Sequence, residues 1–333
     1  MRIPLAPLPK RTTRFPVAVF LRRVFGFVLL MSILPSVQVT GEERGFIQKT
    51  IDDFENSRIE LARGQSNIPF VPLAFLGASF YDQAKIHGVR GTSLEYEVTT
   101  VYQGAGIPFL IGERDVLLVG EYLNRSHFDV TDSSINSFHV TSVGLPVGWL
   151  RQVNPEWQAA AFIMPMAHFS SLDNAELSWQ YMGGVFGRYV QNEYLWWAGG
   201  FFADLAPGGN VYLPYLGASW SINEQWMLSL IMPWPGIYYS PTTDWMVRLG
   251  AVPSGASWSV NTGKGDVALN LNAWDFGLGV ERRVVSNFWA SLDAGIGGMR
   301  GFSLSGSKFE NVEFDVDSSL YVGLGLKFRP SLD

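Results

Sequence analysis

The chain has 333 residues, no cysteine, 14% aromatic residues and only 16% charged ones, and its formal charge is −6. That is little charge against the roughly 25% usual in soluble domains, and the acidic balance argues against nucleic acid as a partner. Four scattered histidines (His87, His127, His139 and His168) without cysteine give no spacing for a transition-metal site, so no metal or cofactor is expected.

Residues 1–41 carry six basic residues and no acidic one, which leaves 18 basic against 30 acidic residues, or −12, for the remainder. Lys10, Arg11, Arg14, Arg22 and Arg23 precede an apolar run from Val24 to Val39. A basic flank before a short apolar core is the pattern of an export signal. Val39-Thr40-Gly41 offers small residues for cleavage, so residues 1–41 are read as a signal peptide. Residues 42–69 are read as a periplasmic N-terminal segment. There Ile47, Ile51, Phe54 and Leu61 give a partial helical spacing that Gly64 would stop.

From residue 70 to 330 the pattern changes to period two, in runs of about ten residues. Leu94, Tyr96, Val98, Thr100 and Tyr102 alternate with Glu95, Glu97, Thr99 and Gln103, and the apolar set is expected to face outward. Asp115–Arg125 follows, then a polar loop over 124–134. In the centre, Leu177, Trp179, Tyr181, Gly183, Val185, Gly187 and Tyr189 alternate with Ser178, Gln180, Met182, Gly184, Phe186 and Arg188. Trp274, Phe276, Leu278 and Val280 oppose Asp275, Gly277, Gly279 and Glu281, and a loop rich in Ser, Asp and Glu is expected over 302–318. The last strand sets Leu320, Val322, Leu324, Leu326 and Phe328 against Tyr321, Gly323, Gly325, Lys327 and Arg329.

Short turns at Asn154, Asn192, Asn223 and Asn287 join several of these runs, and Trp157, Tyr194, Trp226, Trp245 and Phe288 stand just past tight turns. Aromatic rings at strand ends suit a membrane interface, where the ring is apolar and its edge polar. A soluble sandwich would place them at strand centres. The expectation is therefore an all-β protein, a closed antiparallel transmembrane barrel of 12 to 14 strands in the bacterial outer membrane. The run Ile237–Ser240 after Pro233-Trp234-Pro235-Gly236 helps decide between the two counts.

Charge facing lipid is costly. The alternation and that cost together put Glu95, Glu97, Glu121, Arg125, Arg188, Arg248, Asp275, Glu281, Asp293 and Lys327 in the lumen. Mixed acids and bases there either set an ion preference or pair and help to fill a narrow lumen. The second is preferred, with Gln180, Met182, Phe186 and Arg188 adding volume. The expected role is structural or interactive, without enzymatic activity. A narrow passive pore is one alternative. An acyl hydrolase is another, for which Ser137 and His139 share a face and Ser142 lies on the opposite one.

L-S-W-Q-Y-M-G-G-V-F-G-R-Y-V (177–190), L-P-Y-L-G-A-S-W-S-I-N-E-Q-W (213–226) and the final Y-V-G-L-G-L-K-F carry a resemblance. The chain resembles, from about residue 70 to 329, an uncharacterised family of Gram-negative outer-membrane β-barrels, domain of unknown function 6268. The resemblance implies an outer-membrane location and no known activity. Tyr321, Gly323, Leu326 and Phe328 also resemble the terminal signal read by the barrel-insertion machinery, although Arg329–Asp333 follow the last aromatic. The implied partners are that machinery, the lipid bilayer and lipopolysaccharide.

Overall fold

Period-two patterning makes most of the chain's body strand, and the strands close on themselves. The computed structural model describes residues 53, 57–59, 66–88, 93–131, 136–207, 209–232, 234–261, 266–306 and 309–329. The expected signal peptide, 1–41, lies outside these residues.

Seventeen strand segments run in order: β1 (Ala74–His87), β2 (Ser93–Ile111), β3 (Asp115–Val130), β4 (Phe138–Gly144), β5 (Val147–Gln152) and β6 (Trp157–Ser170). They continue as β7 (Ala175–Glu176), β8 (Ser178–Val190), β9 (Leu195–Ala206), β10 (Gly209–Ser221), β11 (Trp226–Ser229) and β12 (Gly236–Thr242). The last are β13 (Trp245–Asn261), β14 (Asp266–Val285), β15 (Phe288–Gly306), β16 (Phe309–Val316) and β17 (Ser319–Phe328). Three pairs, β4 with β5, β7 with β8 and β16 with β17, are single strands interrupted by one or two residues, which makes fourteen staves. Every neighbouring pair is antiparallel, and β17 closes on β1 from Ala74↔Phe328 to Tyr81↔Tyr321. The protein is a closed fourteen-stranded antiparallel β-barrel. Closing β17 on β1 removes the terminal edges of the sheet, the condition for spanning a bilayer with strands.

The tight turns at Asn154, Asn192, Asn223 and Asn287 lie at the same end as the first and last strands' termini. Three of them share one device. Asn154, Asn192 and Asn223 each accept two backbone N–H bonds on Oδ1, from residues two and three ahead, at 2.8 to 2.9 Å. An Asx turn of this kind fixes the reversal locally, and the Trp or Tyr beyond it is delivered to the same rim each time.

At the opposite end the structure departs from expectation in two places. β3 runs on to Val130, and residues 309–316 form β16, which pairs with β15 and meets β1 at Ile86↔Val316. These segments contain at least as many polar as apolar residues, because they project past the apolar band with their apolar side turned inward. Tyr96, Val98, Phe128, Val140, Trp258, Leu271 and Val316 form one buried cluster there.

The barrel also changes size along its axis. β8 pairs with β9 only as far as Tyr181↔Leu205. Above that point β7, its continuation, pairs instead with β13, at Glu176↔Ser259 and Ala175↔Val260. The upper ring is therefore β13, β14, β15, β16, β1, β2, β3, β4, β6 and β7, ten strands, while β9 to β12 leave it.

Candidate functional site

Strand register decides which side chains meet inside the barrel. Residues directly paired across antiparallel strands share a face, so the lumen face can be followed around the wall from Tyr321 and Tyr81, whose rings lie 5.6 Å apart.

At the end holding the termini, Glu281 on β14 meets two cations that reach past β15. Lys327 Nζ is 2.7 Å from Oε1, and Arg329 Nη2 is 2.6 Å from Oε2. Arg329 also donates to the carbonyl of Phe70, and its guanidinium lies over the Trp289 ring. Described parts of the N-terminal segment, 57–59 and 66–70, lie at the same opening. Arg58 pairs with Glu113 in the β2–β3 turn at 2.8 Å, Asn67 N–H donates to the Glu224 carbonyl, and Ile68 packs on Met227 and Met246.

The middle of the lumen is polar and bonded. Tyr81 donates to Asp275 Oδ2 at 2.6 Å, and Arg248 lies 3.5 Å from Asp293. Arg188 donates to Gln158, which in turn donates to Gln152. On the β4–β9 side a line of bonds joins four strands. Ser142 Oγ is 2.7 Å from His168 Nδ1, His168 Nε2 is 2.8 Å from Gln180 Oε1, and Gln180 Nε2 donates to Asp204 at 2.6 Å. If Gln180 Nε2 donates to Asp204, its oxygen accepts from His168 Nε2–H, which leaves Nδ1 to accept the Ser142 proton. That is the proton order of a nucleophile and its base. Ser142 and His168 are both buried, and neither lines the cavity described below. The line's evident work is to tie β4, β6, β8 and β9 together through the lumen.

Beside it, an aromatic row covers the inner wall: Phe162 stacks on Phe186, Phe186 meets Tyr215 edge-on at 4.5 Å, and Trp234 touches Phe202 and Tyr215.

The far end is apolar. Trp258 on β13 reaches Phe128 on β3 (5.4 Å between centroids) and Phe138 on β4 (5.6 Å), so side chains from opposite walls touch across the lumen. Around them is a cavity of about 490 Å³ with Ile86, Leu94, Leu172, Leu269, Phe302 and Phe314 among its walls. Among the described residues no charged side chain lines it, and its volume is in the range of small-molecule sites. The indole N–H of Trp258 is buried and has no hydrogen-bond partner among the described residues. The sequence carries one signal for this site, the run of apolar residues on one face of β2, which faces the lumen and not outward as expected.

The ten residues expected in the lumen therefore divide. Arg188, Arg248, Asp275, Glu281, Asp293 and Lys327 are on the lumen face, where the structure brings Arg248 to Asp293 and Lys327 to Glu281. Glu95, Glu97, Glu121 and Arg125 are on the outer face, a correction. Tyr96 and Val98 occupy the inner face of β2, and Ser126 and Phe128 that of β3, which turns the odd-numbered residues out. Glu95 sits on the upper rim, paired to Lys85 at 3.0 Å. Arg125 is near the same rim, where its long side chain can reach head groups. Glu121 is lower on the wall and takes weak bonds from Gln103 at 3.4 Å. The expected insertion-signal residues share β17: Tyr321 and Gly323 face in, Leu326 and Phe328 out, with Phe328 against Phe288. Ser137 and His139 do not meet; Ser137 donates to Asp129 at 2.7 Å.

Residues 116–329 match the family described as "Domain of unknown function (DUF6268)". No curated protein matches the chain. Solved structures similar to it include the TodX monoaromatic hydrocarbon channel deltaS2 mutant, with a TM-score of 0.39 and 10% identity over 78% of this chain and 90% of that one. A FadL homologue from Pseudomonas aeruginosa gives 0.38 and 11% over 77% and 90%. The translocator domain of the autotransporter NalP from Neisseria meningitidis gives 0.32 and 11% over 89% and 98%.

Proposed function

We propose that this chain, which belongs to the DUF6268 family, is an outer-membrane barrel that accepts a small, uncharged, mainly apolar molecule at its extracellular end. The observation that carries this reading is the apolar cavity of about 490 Å³ walled by Trp258, Phe128 and Phe138. Its volume and apolar walls suit a small apolar ligand, which would leave water on entering it. The partnerless Trp258 N–H suits a ligand with one hydrogen-bond acceptor. Bonded side chains through the lumen, and the contacts of Arg58, Asn67 and Ile68 at the other opening, support ligand handling over free aqueous diffusion.

The proposed role is non-enzymatic. The proposed partners are the bilayer, lipopolysaccharide beside outward-facing Arg125, His127 and His139, and insertion machinery reading Tyr321 to Phe328.

Equilibrium dialysis of naphthalene against the purified barrel in amphipol tests the reading. The wild-type chain is expected to retain naphthalene near one per barrel. Phe138→Glu, which puts a carboxylate against the stacked Phe128 ring, should weaken retention at least roughly tenfold. A second variant, Leu304→Trp, should do the same by filling the cavity from a neighbouring strand. Unchanged retention in both folded variants would remove the site.

A further inference from the structure

The place where the wall divides has a chemistry of its own. Among the described residues, no strand pairs with β10 above the Leu216↔Met232 bridge, on the side away from β9. On β13, likewise, the edge away from β14 has no partner strand between Ala251, which bonds the Pro235 carbonyl, and Ser259, which meets β7. Backbone groups alternate in direction along a strand. Leu216 and Ala218 point towards β11, so Pro214 points to the open edge of β10; Ala251 points towards β12, so Pro253 points to the open edge of β13. Each open edge thus has a proline where a lone N–H would otherwise stand. Proline is tolerated at sheet edges because the donor it lacks has no acceptor there.

The depth of this fork places it beside lipid. Trp245 and Trp220 are outward-facing and stand near the tight turns of the rim that holds the first and last strands' termini. Pro253 is eight residues above Trp245 and Pro214 six from Trp220. At ~3.3 Å per residue, reduced by a tilt of ~40°, these prolines stand about 20 and 15 Å up, within an apolar band about 25 Å tall. The facing surfaces are apolar. Beside the open edges, Val211, Leu213 and Tyr215 share the inner face of β10 and Pro253 and Gly255 are exposed on the outer face of β13; Tyr215 continues into the aromatic row with Phe186 and Trp234. The fork is bounded above where Ser305 Oγ donates to the Pro207 carbonyl at the β9–β10 tip.

We infer that the fork between β10 and β13 is a lateral passage by which an uncharged apolar molecule moves between the lumen and the bilayer's outer leaflet. This rests on the ligand class proposed above. Water-soluble solutes gain little from such a route, since its named walls are mostly apolar and it opens at hydrocarbon depth.

Cysteine labelling tests the passage without any ligand, so its outcome is independent of naphthalene binding. The chain has no cysteine, which gives a clean background. Leu213→Cys and Val211→Cys place thiols on the inner face of β10, beside its open edge. Met182→Cys places one on the lumen face of β8, where β6 and β9 cover both edges. With the folded variants in liposomes, N-dodecylmaleimide dissolved in the bilayer should label the β10 thiols at least roughly tenfold faster than Met182→Cys. A sulfonated, water-confined maleimide should show no such preference. Equal rates with the lipid-dissolved reagent at both β10 positions would overturn the passage. So would β10 labelling by the water-confined reagent alone, which would make the fork an aqueous cleft.

Discussion

Leu324→Arg is expected to leave most of the protein unassembled, while Gly323→Ala, one position away, assembles normally. Leu324 stands on the outer face of the closing strand between Ala78 and Leu292, and Leu292 is itself half exposed. An Arg at that depth costs ~2 to 4 kcal/mol. Gly323 faces the lumen, and a Cβ there would sit 3.5 Å from Asp293 Cβ and Ser79 Oγ, ordinary contact distances. Its alanine should cost under about 1 kcal/mol. Gly325 is the poorer control, since its Cβ would come 2.7 Å from Ser291 Oγ. Heat-modifiable gel mobility after insertion into liposomes reads the folded fraction. Equal damage from both changes would mean that both faces of β17 are packed, contrary to a lipid-facing wall.

Glu281→Ala should be the most damaging change inside the lumen. Glu281 and Arg329 each expose only 7% of their side chains, and Lys327 adds a second cation 2.7 Å away. Removing the carboxylate leaves two cations in a site with little water, a loss of ~3 to 5 kcal/mol when a buried pair is broken. Glu281→Gln keeps the shape and one acceptor, so it should fall between wild type and alanine. Arg329 also holds the Phe70 carbonyl, so the loss should extend to the N-terminal segment. Urea unfolding in bilayers, followed by tryptophan fluorescence, checks the order wild type, Gln, Ala. An alanine variant as stable as wild type would show that the cluster holds nothing together.

Architecture was legible in the sequence wherever a strand crosses the apolar band. On β8, β14, β15 and β17 lipid takes one face and the lumen the other, so polarity alone assigns the sides. Above the band that logic inverts: water is outside and the core is inside. Leu94, Tyr96 and Val98 therefore turn inward with Phe128 and Trp258, and Glu95 and Glu97 turn out. The segment 302–316 reads as loop for the same reason, although Phe302 and Phe314 pack in register as ladder partners.

The cavity was not legible because its defining contacts join Trp258 to residues some 120 to 130 positions earlier in the chain. Ser142, His168 and Gln180 likewise meet only through the β4–β6 and β6–β8 registers. The fork did leave a trace. Pro214 and Pro253 sit inside otherwise unbroken alternations, and proline within a strand points to an edge.

The central claim is that this barrel handles a bound apolar molecule and does not pass bulk electrolyte. Single-channel recording of the wild-type protein in planar bilayers tests it most directly. The account predicts weak conductance or none, across potassium and sodium salts, from protein whose heat-modifiable mobility shows it folded. Large, stable conductance steps of porin scale would contradict it.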